Sequence, residues 1–199
     1  MTFDNHDSRI RYVHLTMERD DLTGIAHYEL PKGYRFAYYQ PGDEDSWIPI
    51  EISAKELKDY AQGREVWQKY YGGLEETLLG RMLFIENEQG EKIATATAYH
   101  GPDGVGQVHW VAVRRQDQGK GLARPLISRT LERLAELGHE SAMLTTQTTT
   151  WVACRLYLNF GFHPAQSCLQ EEMEGWRILR KLTDHPALKD FEMAENVLA

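Results

Sequence analysis

The fold is decided by the stretch VAVRRQDQGKGLARPL, which occupies positions 111–126. An apolar strand predicted over 107–113 runs into a glycine-spaced turn, and the turn opens a helix predicted over 121–137. Such a turn presents backbone N–H groups outward, and the positive end of the helix dipole adds to their attraction for phosphate oxygens. Because glycine has no Cβ, a ligand can approach the backbone closely. We therefore predict a phosphate-binding turn at 118–123.

Two common phosphate loops do not fit this turn. The Walker A loop needs G-x-x-x-x-G-K-[ST], but Lys120 is followed by Gly121, and Arg114 stands five positions before Gly119. The dinucleotide fingerprint G-x-G-x-x-G/A is satisfied at its first two glycines, but Arg124 occupies the third site. A plain structural turn remains the alternative to a ligand site.

The turn matches a third motif, Q/R-x-x-G-x-G/A, which binds the coenzyme A pyrophosphate in the GNAT superfamily of N-acetyltransferases. A second motif of that superfamily, N-x-x-A-x-x-x-Y-x-x-x-G-F, is matched in register at Thr150, Ala153, Tyr157, Gly161 and Phe162, with threonine in place of asparagine. The chain resembles this superfamily over roughly positions 34–165. The resemblance is strongest over 107–162.

The resemblance implies a GNAT fold, an α/β fold with a mixed, mostly antiparallel sheet, helices on both faces and a V-shaped gap between two strands. The strand order read from the sequence, hairpins followed by strand–helix–strand crossovers, also predicts a mixed sheet. The resemblance further implies acetyl-CoA as co-substrate, with no metal. The residues it assigns to acetyl-CoA are Val111, Ala112, Val113, Gln118, Gly119, Lys120, Gly121, Leu122, Ala123, Thr150 and Ala153.

In enzymes of this superfamily the amine attacks the thioester directly, so a proton must leave an ammonium and another must reach a thiolate. The resemblance makes Tyr157 the general acid. His109 is a candidate base or part of a water relay, because a relative carries a histidine at the like position and imidazole exchanges protons near neutral pH. Period two predicts His109 on the same face as Val111 and Val113. Core roles for the tyrosine and the histidine are the alternatives.

Composition limits the partners of this 199-residue chain. Its net charge of -8 disfavours nucleic acid and favours a cationic amine. We see no apolar run of the roughly 18 residues that a membrane span needs, and no targeting segment. The only cysteines, Cys154 and Cys168, form no CxxC motif, which predicts a reducing, cytoplasmic location without disulfides. A homodimer is expected by analogy with the superfamily.

The remaining predictions concern the chain's organisation. We expect an N-terminal extension over 1–33 with an edge strand at 11–17, a GNAT domain over 34–182 and a tail over 183–199. Ser53 and Glu56 suggest a capping box that starts an aromatic-striped helix, and 173–180 suggests a last strand. The loop at 100–106 is a candidate lip of the site.

The sequence leaves two questions of function open. The acceptor can be a small amine or a protein amine, and the protein can be a non-catalytic acyl-CoA-binding sensor or interaction module on the same fold.

Overall fold

A computed structural model describes residues 6–167 and 170–189. Within these residues the chain forms seven β-strands: β1 His14–Arg19, β2 Arg35–Tyr38, β3 Met82–Glu86, β4 Lys92–His100, β5 Gly106–Val113, β6 Ala142–Gln147 and β7 His163–Pro164. The α-helices of the same residues are α1 Glu44–Ala54, α2 Tyr60–Tyr71, α3 Glu75–Leu78, α4 Ala123–Glu136, α5 Trp151–Asn159 and α6 Gln170–Thr183.

The strands form one sheet in the order β2-β3-β4-β5-β6-β1-β7. Every neighbouring pair is antiparallel except β5 and β6, which run parallel. Parallel neighbours need a crossover, and α4 supplies it between these two strands. The predicted mixed, mostly antiparallel sheet is therefore confirmed.

Strand β3 shows that helices cover both faces of the sheet. Its side chains alternate, and all five of its residues are buried. Met82 and Phe84 pack in a cluster with residues of α1 and α2, whereas Leu83 and Ile85 pack with Leu126 of α4. Burial on both faces explains why the first four residues of this strand, 82–85, are all apolar rather than alternately apolar and polar.

The first strand is an interior strand, so the prediction of an edge strand is wrong. β1 pairs with β6 on one side and β7 on the other. Leu15 and Met17 are fully buried, and α6 packs so closely that a Cβ on Gly175 would lie 2.7 Å from a Leu15 methyl carbon. Two-sided pairing and full burial make β1 part of the domain's core.

The predicted last strand at 173–180 is also wrong, because this segment lies in helix α6. The buried residues of α6 recur at helical spacing: Glu172, Gly175, Trp176, Leu179 and Thr183. Spacings of three and four place them on one helical face, which packs against β1.

The predicted capping box at Ser53 and Glu56 does not form. Ser53 lies inside α1, where its Oγ accepts a hydrogen bond from the N–H of Arg115. Helix α2 begins later, and the carboxylate of Asp59 caps it by accepting from the N–H of Gln62 at 2.9 Å. An aspartate cap satisfies the same unpaired helix N–H that the serine was expected to satisfy.

Candidate active site

A gap opens between the parallel strands β5 and β6. They pair only at their first residues, Gly106 with Ala142 and Gln107 with Met143. Beyond these pairs the strands diverge around a cavity of about 200 Å³. Its walls are Glu51, Glu56, Tyr70, Val108, His109, Trp110, Val111, Thr145, Thr146, Gln147, Thr150, Ala153 and Tyr157. Helix α5 begins beside this gap, because Thr150 and Ala153 are wall residues, whereas no residue of the turn 118–123 is a wall residue.

A β-bulge in β5 contributes to this divergence. Thr97 pairs with His109 and Thr95 pairs with Ala112, so β5 carries one residue more than β4 between the two pairs. Trp110, within the extra stretch, has a φ of +48°. That left-handed backbone is costly for a residue other than glycine, and bulges of this kind bend strands next to functional sites.

The bulge reverses the predicted facing of His109. Val111 and Val113 pack on the α4 side of the sheet, but His109 packs with tyrosines of the α1 and α2 side, together with Ala112. The expectation that His109 shares a face with Val111 and Val113 is wrong, because the extra residue shifts the period-two pattern by one.

His109 is held in a cage of aromatic side chains. Its Nδ1 lies 3.1 Å from the hydroxyl oxygen of Tyr71, which in turn lies 3.1 Å from Oγ1 of Thr97. The imidazole stacks on Tyr99 with ring centroids 4.8 Å apart, and Tyr70 packs edge-on against it at 5.0 Å. This burial lowers the pKa of His109 to about 4. The ring is therefore neutral at pH 7, and its other nitrogen can exchange a proton in the cavity.

The glycine turn has the open backbone expected of a phosphate site. Gly119 and Gly121 adopt φ values of +77° and +81°. A Cβ at Gly119 would meet no atom within 4 Å, and one at Gly121 would meet only Pro31, at 3.9 Å. No described side chain caps the start of α4, and no described backbone carbonyl outside the helix accepts from the N–H of Ala123. The turn therefore has room for an anion and donors to bind it.

The side chains of the turn have structural contacts. Asp117, which is buried, pairs with Arg114 at 2.8 Å and with Lys120 at 2.6 Å. The amide of Gln118 donates to the carbonyl of Val113 at 3.0 Å. Leu122 is 2% exposed and packs in the core beneath α4. What this turn offers a ligand is therefore its backbone, and Gln118 and Asp117 hold that backbone in place.

Helix α5 carries the second motif into the gap. Thr150, Ala153 and Tyr157 all line the cavity. Tyr157 is 7% exposed, and burial raises the pKa of its phenol, so the hydroxyl keeps its proton at neutral pH. The hydroxyl of Thr150 donates to the carbonyl of Gln147 at 2.9 Å instead of capping the helix.

Of the two cysteines, Cys154 lies among the described residues and Cys168 does not. Cys154 is fully buried beneath the gap, and burial raises the pKa of its thiol to about 12. Its Sγ donates to the carbonyl of Gln147. A thiol that stays protonated is a poor nucleophile.

Several aromatic residues of α1 and α2 are core residues. Trp47 and Tyr71 are fully buried, and Trp67 packs between them. The aromatic side chains that do line the cavity beside Tyr157 are Tyr70 and Trp110. The loop at 100–106 contributes no wall residue, because it precedes β5 at the end where β5 and β6 are still paired.

Sequence reasoning missed one acidic residue of the site. Glu51 lies on α1 one turn after Trp47, is 0% exposed and lines the cavity. Neither carboxyl oxygen has a hydrogen-bond partner among the described residues. Burial raises the pKa of Glu51 well above its ordinary value, and the charge of Glu56 raises it further. The i, i+4 spacing from Trp47 would have placed it on the buried face.

Among the described residues, no helix combines the length and the apolar character of a membrane span. No group of three or more histidine, cysteine, aspartate or glutamate side chains in that part of the chain has the geometry of a metal site.

The parallel pair that separates, the bulged strand and the open glycine turn at a helix start define a GNAT acyltransferase fold. Comparison with known proteins supports this assignment of the fold. A family model described as the Acetyltransferase (GNAT) family matches residues 45–162, more than half of the chain, and the chain belongs to this family. The family uses acetyl-CoA.

The individual proteins that this chain resembles share only a minority of its residues. The chain is 28% identical over 158 residues to a mycothiol acetyltransferase of Thermobispora bispora, which covers 73% of this chain and 52% of the relative. It is 26% identical over 176 residues to the mycothiol acetyltransferase of Streptomyces avermitilis, covering 80% and 53%. A GCN5-related N-acetyltransferase from Sphaerobacter thermophilus has the same fold, with a TM-score of 0.64 at 21% identity over 78% of this chain and 50% of that one. The chain spans about half the length of the curated relatives it matches.

Proposed function

We propose that the protein moves an acetyl group from acetyl-CoA to a primary amine by direct attack of the amine on the thioester. The observation that carries the proposal is the position of Tyr157. This protonated phenol lines the gap between β5 and β6, and β5, which forms the other wall, leads along the chain to the glycine turn. A proton donor in the gap and a turn suited to phosphate after the facing strand together support the proposal.

The residues present fit acetyl-CoA. Backbone N–H groups at Gly119, Gly121 and Ala123 would hold the pyrophosphate, and the absence of neighbours around the glycine Cβ positions leaves room for it. The separated part of β5, from Val111 to Val113, would offer main-chain groups to the pantetheine arm. Ala153 has a short side chain on the facing helix, which keeps that wall open.

The acid in the reaction is Tyr157. As the new carbon–nitrogen bond forms and the carbon–sulfur bond breaks, the sulfur gains negative charge and takes the phenolic proton. A phenol whose charged form is disfavoured by burial is protonated at neutral pH, so it can donate its hydrogen to the sulfur as negative charge grows there. The phenolate regains its proton from solvent after the product leaves.

The base is His109 or a water that it orients. A neutral imidazole can accept the proton that the ammonium must lose, and Tyr71 holds the ring by its Nδ1. A pKa of about 4 makes His109 a weak base, which favours a water relay over a single direct transfer.

The acceptor that we propose is cationic before it reacts. The chain carries a net charge of -8, and two carboxyl groups, Glu51 and Glu56, line the cavity. The relatives named as mycothiol acetyltransferases make the acceptor stated in their name one candidate among small amines. The cytoplasmic location and the homodimer stay predictions.

The test is turnover with a panel of amines. The protein is incubated with acetyl-CoA and one primary amine at a time (an aromatic amine, an amino sugar, a polyamine and a peptide N-terminus), and released thiol is followed by absorbance. We expect release above the hydrolysis background with at least one amine. Acetyl-CoA binding without turnover on any amine would contradict the enzyme and support the non-catalytic sensor module instead.

A further inference from the structure

Glu51 is a buried carboxyl group in the wall of the active-site gap. It is 0% exposed, and neither of its oxygens has a hydrogen-bond partner among the described residues. The cavity it lines also contains His109 and Tyr157. Buried carboxyl groups are normally paired or hydrogen-bonded, so this one is an exception that calls for a reason.

The fold gives no reason for a carboxyl group at this position. Its neighbours on the buried face of α1 are apolar: Trp47, Ile48, Ile50 and Ala54. A leucine of similar volume would pack among them and bury apolar surface at no electrostatic cost. Residues that break a packing rule without a local compensation are concentrated at functional sites.

The charges around Glu51 indicate that a ligand bound beside it should carry a positive charge. The charged residue with the strongest effect on Glu51 is another acid, Glu56, which makes its ionisation harder. Glu56 itself lies 3.2 Å from Nε2 of His6. A cation placed in the cavity would face two carboxyl groups and two aromatic rings, Tyr70 and Trp110, all of which attract positive charge.

We propose that Glu51 binds the amino group of the acceptor and makes the site select a cation over a neutral molecule of the same shape. The proposal rests on the proposed function, because it assigns a residue to the amine side of that reaction. Both oxygens are covered in the ligand-free structure, so contact requires the side chain to turn towards the cavity. Burial keeps Glu51 protonated in the ligand-free protein, so binding of the cation releases that proton to solvent, and the contact is then a charge-assisted hydrogen bond from the ammonium N–H to the carboxylate.

The experiment uses benzylammonium and benzyl alcohol, which share an apolar ring suited to the aromatic wall but differ in charge. Binding of each to the full chain is measured by NMR titration, with and without saturating acetyl-CoA. We expect the wild type to prefer the cation by at least about tenfold, Glu51→Gln to lose that preference, and Glu65→Gln, the same substitution at an exposed site of α2, to keep it. Thermal melting confirms that both variants fold.

Either of two results would overturn the proposal: a wild type that binds the two probes equally, or a Glu51→Gln variant that still prefers the cation. Failure of the proposed function would look different. A protein that does not bind acetyl-CoA in the same samples is not an acetyltransferase, whatever its preference between the two probes.

Discussion

The Nδ1 atom of His109 lies 3.1 Å from the hydroxyl oxygen of Tyr71, and this contact ties the candidate base to the core. Tyr71 is fully buried and also hydrogen-bonds Thr97 of β4. The bulge in β5 is what turns His109 towards Tyr71 rather than towards α4. The residue therefore belongs both to the site and to the packing beneath it, and its titration should affect stability.

We predict that His109 makes the protein sensitive to mild acid. The unfolded chain binds this proton near the ordinary value of 6.5, whereas the folded chain binds it only near 4. Stability should therefore fall as pH falls from about 6.5 to 4, by up to about 3 kcal/mol from this residue. The measurement is urea unfolding at pH 7, 6 and 5.

The comparison that isolates His109 is the variant His109→Gln, whose unfolding free energy should depend less on pH over this range. His27→Gln, which removes a histidine 68% exposed in its side chain, is the matched control and should keep the wild-type dependence. Equal pH dependence in all three proteins would mean that His109 is not buried as described.

We predict that Gly121→Glu abolishes acetyl-CoA binding, weakening it by at least about 100-fold. The substitution places a side chain and a negative charge where the pyrophosphate should bind, and it forces a positive φ on a residue with a Cβ. Gly138→Glu controls for the strain, because Gly138 has a φ of +85° and open surroundings at the other end of α4. Calorimetry should find unchanged affinity for that control, and unchanged affinity for Gly121→Glu would remove the turn as the cofactor site.

We predict that Tyr157→Phe lowers kcat by about 10² to 10⁴ while acetyl-CoA affinity stays close to that of the wild type. The ring that packs against Phe162 is kept and only the proton donor is lost. Steady-state kinetics with the best amine of the panel and calorimetry with acetyl-CoA measure the two quantities. Tyr12→Phe, at an exposed position, should leave both unchanged. Full activity of Tyr157→Phe would show that water protonates the thiolate and that Tyr157 is structural.

We predict that Glu51→Leu stabilises the fold above pH 4.5 by about 1–3 kcal/mol. Below the ordinary value of 4.5 the carboxyl is neutral in both states. Above it the unfolded chain gains by ionising Glu51 and the folded chain does not, so wild-type stability falls as pH rises. Thermal unfolding at pH 4 and 7 should show the variant's advantage growing with pH. An advantage that shrinks with pH would mean that Glu51 is ionised and paired in the folded protein.

The sequence predicted the parts of the fold and of the site that depend on local backbone conformation. A phosphate turn needs glycines at fixed places before a helix, so Gly119 and Gly121 located the turn, β5 and α4 together. The second motif likewise placed Tyr157 in the gap, because helical spacing carries Thr150, Ala153 and Tyr157 to one wall.

What the sequence did not predict depends on contacts between distant segments. The bulge at Trp110 adds a residue that no local pattern reveals, and it reversed the face of His109. Segment 173–180 is short enough for a strand, and the helical spacing of its buried residues becomes clear only over the longer window 172–183, whose buried face packs against β1. Glu51 could have been found by projecting α1 as a helix, since it follows Trp47 by one turn.

The proposed function depends on binding of acetyl-CoA by the turn at 118–123 and by the gap between β5 and β6. The most direct test is calorimetric titration of the purified protein with acetyl-CoA, with coenzyme A and ATP as controls. We expect acetyl-CoA and coenzyme A to bind in the micromolar range and ATP alone not to bind, because the pantetheine arm fills the gap that ATP leaves empty. No binding of acetyl-CoA, or equal binding of ATP, would contradict the proposed function.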